Sequence, residues 1–410
     1  MSTSICLLQA IAFLDLLAVS LIIPLIPNHV RLLGGSHISV GLLGSIYAGC
    51  QLVSGPLMGS LSDLKGQKLM LVVTLLVCSL AYVTIGLASS ITIILIARAV
   101  LGIFKQTQML TRALVPEYEK NKNKQSSIYG KMNAISGAGI TLGPVIGGHI
   151  VEDDPENGFT LVGVIVCFCF IFNSGLVYFL LPKTRGPTIR KSSNNMNSSN
   201  SLIYSICDSA KQSVMELYKV RWYKYWDVFV FKALVGFAMG IYYSNYSLYL
   251  KTQHELSPKY IGYVISFQGV IGSLSAFFMD FINSFYPNDK DYSLRNFHVF
   301  LLMSVSLIGL ISSINIYIYA VWLIPLAISN AVARLVTLEM VLNRGHNDHR
   351  GTLIGASNSI RSLSGVIAPM VAGFTGHIFG VSYVMYGSLC ASMTGFFMSY
   401  HYKRKSEKND

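Results

Sequence analysis

The stretch Gly130–Gly148, GKMNAISGAGITLGPVIGG, puts six glycines and one proline into an apolar run of helix length. In water each of those glycines would cost about 1 kcal/mol relative to alanine and the proline about 3 kcal/mol, so no soluble helix would survive. In a bilayer the backbone has no competing partner and stays helical. Small residues then let neighbouring helices come close. Pro144 lacks an N–H and is expected to bend the helix near Gly143. The stretch calls for a bundle of membrane helices.

The stretch also recurs. A shift of 225 residues carries Gly130 onto Gly355, Asn133 onto Asn358, Ile135 onto Ile360, Pro144 onto Pro369 and Gly148 onto Gly373, in GASNSIRSLSGVIAPMVAG. The chain therefore reads as two related halves, the parallel repeat on which many transporters are built. Composition agrees: 52% of the residues are hydrophobic and 12% charged, where a soluble domain carries about 25% charged residues. The net charge of +12 does not point to nucleic acid, because the basic residues sit in short loops between apolar runs. The seven cysteines show no metal spacing and read as reduced packing residues.

Apolar runs of about 20 residues are span candidates. Twelve are expected, at 5–27, 39–61, 69–89, 91–115, 128–150, 159–181, 226–249, 260–282, 297–314, 317–341, 352–374 and 380–400. The first lacks a basic region before it and reads as a retained helix rather than a signal peptide. The fold class is all-α integral membrane, two six-helix pseudo-symmetric halves. The halves are expected at 1–182 and 225–402, with a linker at 183–224 and a tail at 403–410. The linker starts as a polar low-complexity run, and its second part, 202–222, reads equally as an interfacial helix or a solvated segment.

Orientation follows from Lys and Arg. Five lie within spans (Arg98, Lys105, Lys232, Arg334 and Arg361) and only Arg31, Lys251 and Lys259 fall on one side; all the others fall on the opposite side. Both termini and the linker are thus expected in the cytosol. Whether the membrane is the plasma membrane or that of an organelle stays open.

Four motifs carry a resemblance. The loop after the second span reads Gly59-Ser-Leu-Ser-Asp63-Leu-Lys-Gly66-Gln67-Lys68. Arg98 and Gly102 stand in the fourth span. Gly139, Gly143, Pro144, Gly147 and Gly148 stand in the fifth. The first span reads Leu14-Asp15-Leu-Leu-Ala-Val-Ser-Leu-Ile-Ile-Pro24-Leu-Ile-Pro27. Together these resemble the major facilitator superfamily over essentially the whole chain, and within it the tetracycline/proton antiporter branch. Gln67 departs from the family's usual Arg or Lys. The resemblance implies twelve helices, a central cavity lined by the first, fourth, seventh and tenth spans, and a cytosolic gate at the signature loop (Gly59, Asp63, Gly66 and Lys68, with Arg112 in reach). It also implies a helix-bending role for the fifth-span motif and for Pro369.

An ionisable side chain inside a span costs about 2.5–3.5 kcal/mol on insertion scales, so the few present are functional candidates. Asp15 lies about 15 Å into the first span, near the midplane. It could exchange a proton or simply hold a neighbouring helix. Arg98, Lys105 and Arg112 recur every seven residues and would share one face of a continuous helix at depths of roughly 10, 20 and 30 Å, with Gln108 one turn below Lys105. Asp15 is expected to pair with one of these cations; for Lys105 the alternative is snorkelling to the cytosol. Asp63 reads as a gate or as a solvated loop residue. The second half offers Lys232, Asn245, Arg334, Asn358 and Arg361 as cavity residues, with Glu339 near enough to neutralise Arg334 or Arg361. Tyr242, Tyr243, Tyr246 and Tyr249 could line the cavity or an interface.

The functional expectation is a secondary transporter that moves a small organic solute by alternating access, coupled to protons as an antiporter. The alternative is a transporter-like sensor or accessory protein without net flux. The excess of cavity cations points to an anionic or zwitterionic solute. The partners expected are that solute, protons and the lipid bilayer, not nucleic acid, and the chain is expected to be a monomer. Hydrolase, metalloprotease and phosphate-loop motifs are absent from the sequence, so no enzyme, cofactor or metal is expected. His346 and His349 read as solvated loop residues.

Overall fold

A computed structural model describes residues 3–182, 222–287, 289, 291–344 and 350–406. Linker residues 183–221, Cys207 among them, and His346 and His349 lie outside the described residues, as does the Asp63 side chain. Among the described residues the structure is helical, with no strand. Ten helical segments are long and apolar enough to cross a membrane. They correspond to the first ten expected runs. The eleventh and twelfth are also long helices, Arg350–Ile378 and Val381–Ser406, but Ser, Thr, Gly and Tyr dilute their apolar character.

In the first half the helices are α1 (Thr3–Ile22), α2 (Ile26–Leu32), α3 (His37–Lys65), α4 (Gln67–Gly86), α5 (Ile91–Phe104), α6 (Thr107–Tyr118), α7 (Lys122–Asp153) and α8 (Gly158–Gly175), the last running into a π-turn at Leu176–Leu180. The second half has α9 (Trp222–Gln253), α10 (Pro258–Phe277), α11 (Met279–Ser284), α12 (Ser293–Ile311), α13 (Ile316–Arg344), α14 (Arg350–Ile378) and α15 (Val381–Ser406).

The interruptions have local causes. α1 stops at Ile22 and α2 restarts at Ile26 around Pro24, which cannot donate into the ladder. Gly66 separates α3 from α4 at φ +94°, backbone that a side chain would resist. By contrast α7 runs unbroken through Pro144, and α14 through Pro369.

Packing divides the chain into two compact units, residues 1–25 with 49–218, and residues 26–48 with 219–410. In the first unit α1 lies along α7, and α8 packs on α4 and α1. The α1–α7 seam is what the glycine-rich stretch makes possible. A Cβ on Gly143 would lie 1.9 Å from Ser20 Oγ, and one on Gly147 would lie 2.1 Å from the Leu21 carbonyl oxygen. Ser20 Oγ donates to the Gly139 carbonyl at 3.0 Å.

In the second unit α9 packs on α14 and α15. The shift of 225 residues carries Gly139, Gly143 and Gly147 onto Ser364, Ala368 and Ala372. These form the matching seam against α9, with the small partners moved across. A Cβ on Gly240 would meet Ala368 Cβ at 2.7 Å, and Ser364 Oγ donates to the Ala233 carbonyl at 3.3 Å. Ala368 and Ala372 pack with Ile241 and Val384 in an apolar cluster. Pro369 itself lies against α3, where a Cβ on Gly41 would fall 2.4 Å from its carbonyl oxygen.

Candidate functional site

Asp15, in the middle of α1, is 1% exposed, and Lys105 is 7% exposed. Lys105 Nζ donates to Asp15 Oδ1 at 2.6 Å. Gln108 Nε2 donates to Asp15 Oδ2 at 3.3 Å, so each carboxylate oxygen has a donor. Lys105 Nζ also lies 3.4 Å from Thr107 Oγ1 and 5.4 Å from the centre of the Phe170 ring. This is a buried ion pair with an amide and a hydroxyl beside it and an aromatic face behind it. Such a pair is stable only with close geometry and satisfied oxygens, and both conditions hold here. The snorkelling alternative for Lys105 is therefore overturned.

The backbone that places Lys105 differs from the expected one. A continuous fourth-span helix would have aligned Arg98, Lys105 and Arg112. Instead α5 ends at Phe104, Lys105 takes a non-helical conformation (φ −74°, ψ 64°), and α6 begins at Thr107. The seven-residue spacing thus does not define one helical face. A break inside an apolar span must satisfy the groups it frees. The second span does so: Gln51 Nε2 donates to the Lys105 carbonyl at 3.4 Å, and Gln106 Nε2 to Ser54 Oγ at 3.2 Å. Ser54 Oγ in turn donates to the Gly102 carbonyl at 3.1 Å. Arg98 is buried in α5, whereas Arg112 is exposed and donates to Asn133 Oδ1 at 2.7 Å. Arg112 thus ties the fourth span to the fifth.

The signature-loop residues divide. Lys68 Nζ donates to the carbonyls of Tyr178 at 3.1 Å and Leu181 at 2.5 Å. It caps the end of the sixth span, where free carbonyls favour a cation. Gly59 has open space around it.

In the second unit, Lys232 on α9 lies within electrostatic reach of Arg361 on α14 and Arg334 on α13. Asn358 is exposed on α14. Asn245 is buried on the α9 face that carries Tyr242, Tyr246 and Tyr249. These three tyrosines pack inside the unit; Tyr242 donates to Gln268 Oε1 at 3.2 Å. Tyr243 is half exposed and accepts a hydrogen bond from Asn330 Nδ2 at 3.1 Å. Glu339 has a neighbour that the sequence did not suggest. Burial, and then the Glu339 carboxylate beside it, push the Tyr292 phenol above its usual range, which puts Glu339 beside the loop before α12.

That loop holds a second buried ion pair. Arg295 Nε donates to Asp289 Oδ2 at 3.0 Å, and Asp289 accepts from the backbone N–H groups of Leu294 and Arg295, capping α12. A third pair joins Arg344 to Asp227 at 2.5 Å, with Tyr402 also bonded to Arg344. Among the described residues no group of His, Cys, Asp and Glu could hold a metal ion.

Thr107, Phe170, Gln51 and Ser54 were not singled out from the sequence. A polar residue within an apolar run was the available signal for Gln51; nothing distinguished Phe170 from the other aromatics.

A family model described as the Major Facilitator Superfamily matches residues 8–369. The quinolone resistance protein NorA of Staphylococcus aureus (strain COL) is 25% identical over 407 residues, covering 97% of each chain. The class H tetracycline resistance protein of Pasteurella multocida is 22% identical over 382 residues, covering 91% of this chain and 89% of that protein. Among solved structures, a bacterial homolog of the human lysosomal transporter Spinster, inward-facing and unoccupied, superposes with a TM-score of 0.75 at 13% identity over 98% of both chains. The human organic anion transporter MFSD10 (TETRAN) gives 0.65 at 17% identity over 97% of this chain and 98% of that chain. These two likenesses speak for the fold. The motifs, the helical halves and the matched residues lead to one conclusion: the chain belongs to the Major Facilitator Superfamily and is a multi-pass membrane transporter, not an enzyme.

Proposed function

We propose that this transporter moves a small organic solute by alternating access, in exchange for protons, with Asp15, Lys105 and Gln108 as the coupling group. The observation that supports this most directly is the buried Lys105–Asp15 contact of 2.6 Å at a break in the fourth span. A break is where a helix can change direction without losing its whole ladder, so the ammonium can leave the carboxylate. Once it leaves, the carboxylate sits in apolar surroundings and takes a proton rather than carry an uncompensated charge. Protonation and separation of the pair thus go together. Gln108 holds the second oxygen in either state. On this reading both termini face the cytosol, 183–224 links the halves, and Asp63 with Lys68 and Arg112 stabilises the cytosolic side. The relatives named for quinolone and tetracycline resistance favour an aromatic organic solute leaving the cytosol.

The test is flux in proteoliposomes. With an imposed pH gradient, wild type is expected to drive a quinolone or a tetracycline against its own gradient, and Asp15→Asn to carry it only downhill. Equal gradient-driven transport by Asp15→Asn would remove proton coupling through this residue. Binding without flux in wild type would favour a sensor.

A further inference from the structure

We propose that the second half contains an anion subsite, formed by Lys232, Arg334 and Arg361 with Tyr243 and Asn330, which takes the carboxylate of an aromatic organic anion. The inference rests on the transporter reading above and narrows its solute. The three cations stand on three helices at one depth. Lys232 lies ten residues from the Trp222 end of α9, Arg334 ten from the Arg344 end of α13, and Arg361 eleven from the Arg350 end of α14. At 1.5 Å per residue each is about 15 Å in. Lys232 is within electrostatic reach of both arginines, and Arg334 is within reach of Tyr243. Lys232 and Tyr243 are about three turns apart and share one face of α9. On α13, Asn330 and Arg334 are one turn apart, and Asn330 bonds the Tyr243 hydroxyl.

Two carboxylates of the second half are engaged elsewhere. Asp227 pairs with Arg344, and Glu339 lies against Tyr292. Among the described residues no ion pair engages Lys232 or Arg334. Lys232 is half-buried and Arg334 and Arg361 are exposed; like charges set near one another on apolar helices repel, and an anion between them relieves that repulsion. A guanidinium offers a carboxylate two parallel donors. Tyr243, with its oxygen accepting from Asn330, keeps its hydroxyl hydrogen for a ligand, and the residue is 45% exposed, which leaves it open to stacking. The phosphate of an anionic lipid has the same charge chemistry, so the test separates the two sources.

The experiment titrates the full chain in nanodiscs of neutral phosphatidylcholine with 2-naphthoate, neutral 2-naphthamide and cationic 2-naphthylmethylammonium. The naphthoate is expected to bind at least about tenfold more tightly than the other two. Lys232→Gln and Arg334→Gln should each weaken naphthoate about tenfold, and Arg334→Lys should restore part of the loss. Equal binding of the three ligands by wild type, a comparison that needs no variant to fold, would overturn the subsite. So would naphthoate affinity indifferent to both glutamine variants. In discs containing phosphatidylglycerol, unchanged naphthoate affinity supports a solute site. Competition seen in wild type and lost in Arg334→Gln would assign the cations to a lipid headgroup instead. Flux separates this inference from the reading beneath it. Proton-driven movement of 2-naphthylmethylammonium without naphthoate selectivity would leave the transporter reading standing and remove the anion subsite. Selective naphthoate binding with no flux of any ligand would do the reverse.

Discussion

At the scale of single residues, the Lys105–Asp15 pair makes two claims that can be separated. Removing one partner leaves the other charged in a site where Asp15 is 1% exposed. Lys105→Ala is therefore expected to destabilise the protein by about 3 kcal/mol, read as a fall in the thermal unfolding midpoint in detergent. Replacing both, as Asp15→Leu with Lys105→Met, removes both charges and is expected to recover most of that stability. It should not recover gradient-driven transport. A double variant that transports like wild type would reduce the pair to a helix clamp. Asp15, Lys105 and Gln108 were legible because an ionisable side chain in an apolar run is expensive and so needs a partner. The conformation that joins them was not. No glycine or proline stands between Phe104 and Thr107, and the freed backbone groups are met by Gln51 and Ser54 from another helix, which local sequence does not disclose.

At the scale of elements, the seam between α1 and α7 makes a contrast within one helix. Gly147 faces the Leu21 carbonyl at a distance no side chain could share, whereas Gly130, on the same helix, has nothing within 4 Å. Gly147→Val is expected to push α7 off α1 and cost about 1–3 kcal/mol. Gly130→Ala should be neutral or stabilise by up to about 1 kcal/mol, through helix propensity alone. Thermal unfolding of the two variants side by side checks this; equal effects would mean the seam is not tightly packed. A similar test applies to Asp289, which pairs with Arg295 and caps α12. Asp289→Ala should cost about 3 kcal/mol or more by leaving the Arg295 guanidinium buried and unpaired. The sequence disclosed that glycines would draw helices together and that the pattern would repeat. It did not disclose that the second half achieves the seam with Ser364 and Ala368 against Gly236 and Gly240, because either helix can supply the missing side chain. The Asp289 cap was hidden for a similar reason. The signature loop's glycine frame is absent there, and an ion pair between a loop and the helix it precedes leaves no fixed spacing.

For the whole molecule, the two readings bear on one another through linkage. If solute and proton are exchanged, each must weaken the binding of the other by the same factor, since coupling between two equilibria is reciprocal. The expected sign follows. Between about pH 6 and 9 an aromatic carboxylate with an ordinary acidity stays ionised, so pH acts on the protein. Antiport then requires 2-naphthoate to bind more tightly as pH rises. Binding in a weakly buffered solution should also release protons. Symport would reverse both signs, and uniport would leave affinity independent of pH. Asp15→Asn removes the linked group and should flatten the dependence while leaving the three-cation cluster of the second half in place. A slope that survives in Asp15→Asn would assign the linked proton to another residue. The slope thus tests more than either site: linkage between a proton on an aspartate of the first half and affinity at cations of the second is what alternating access by an antiporter requires.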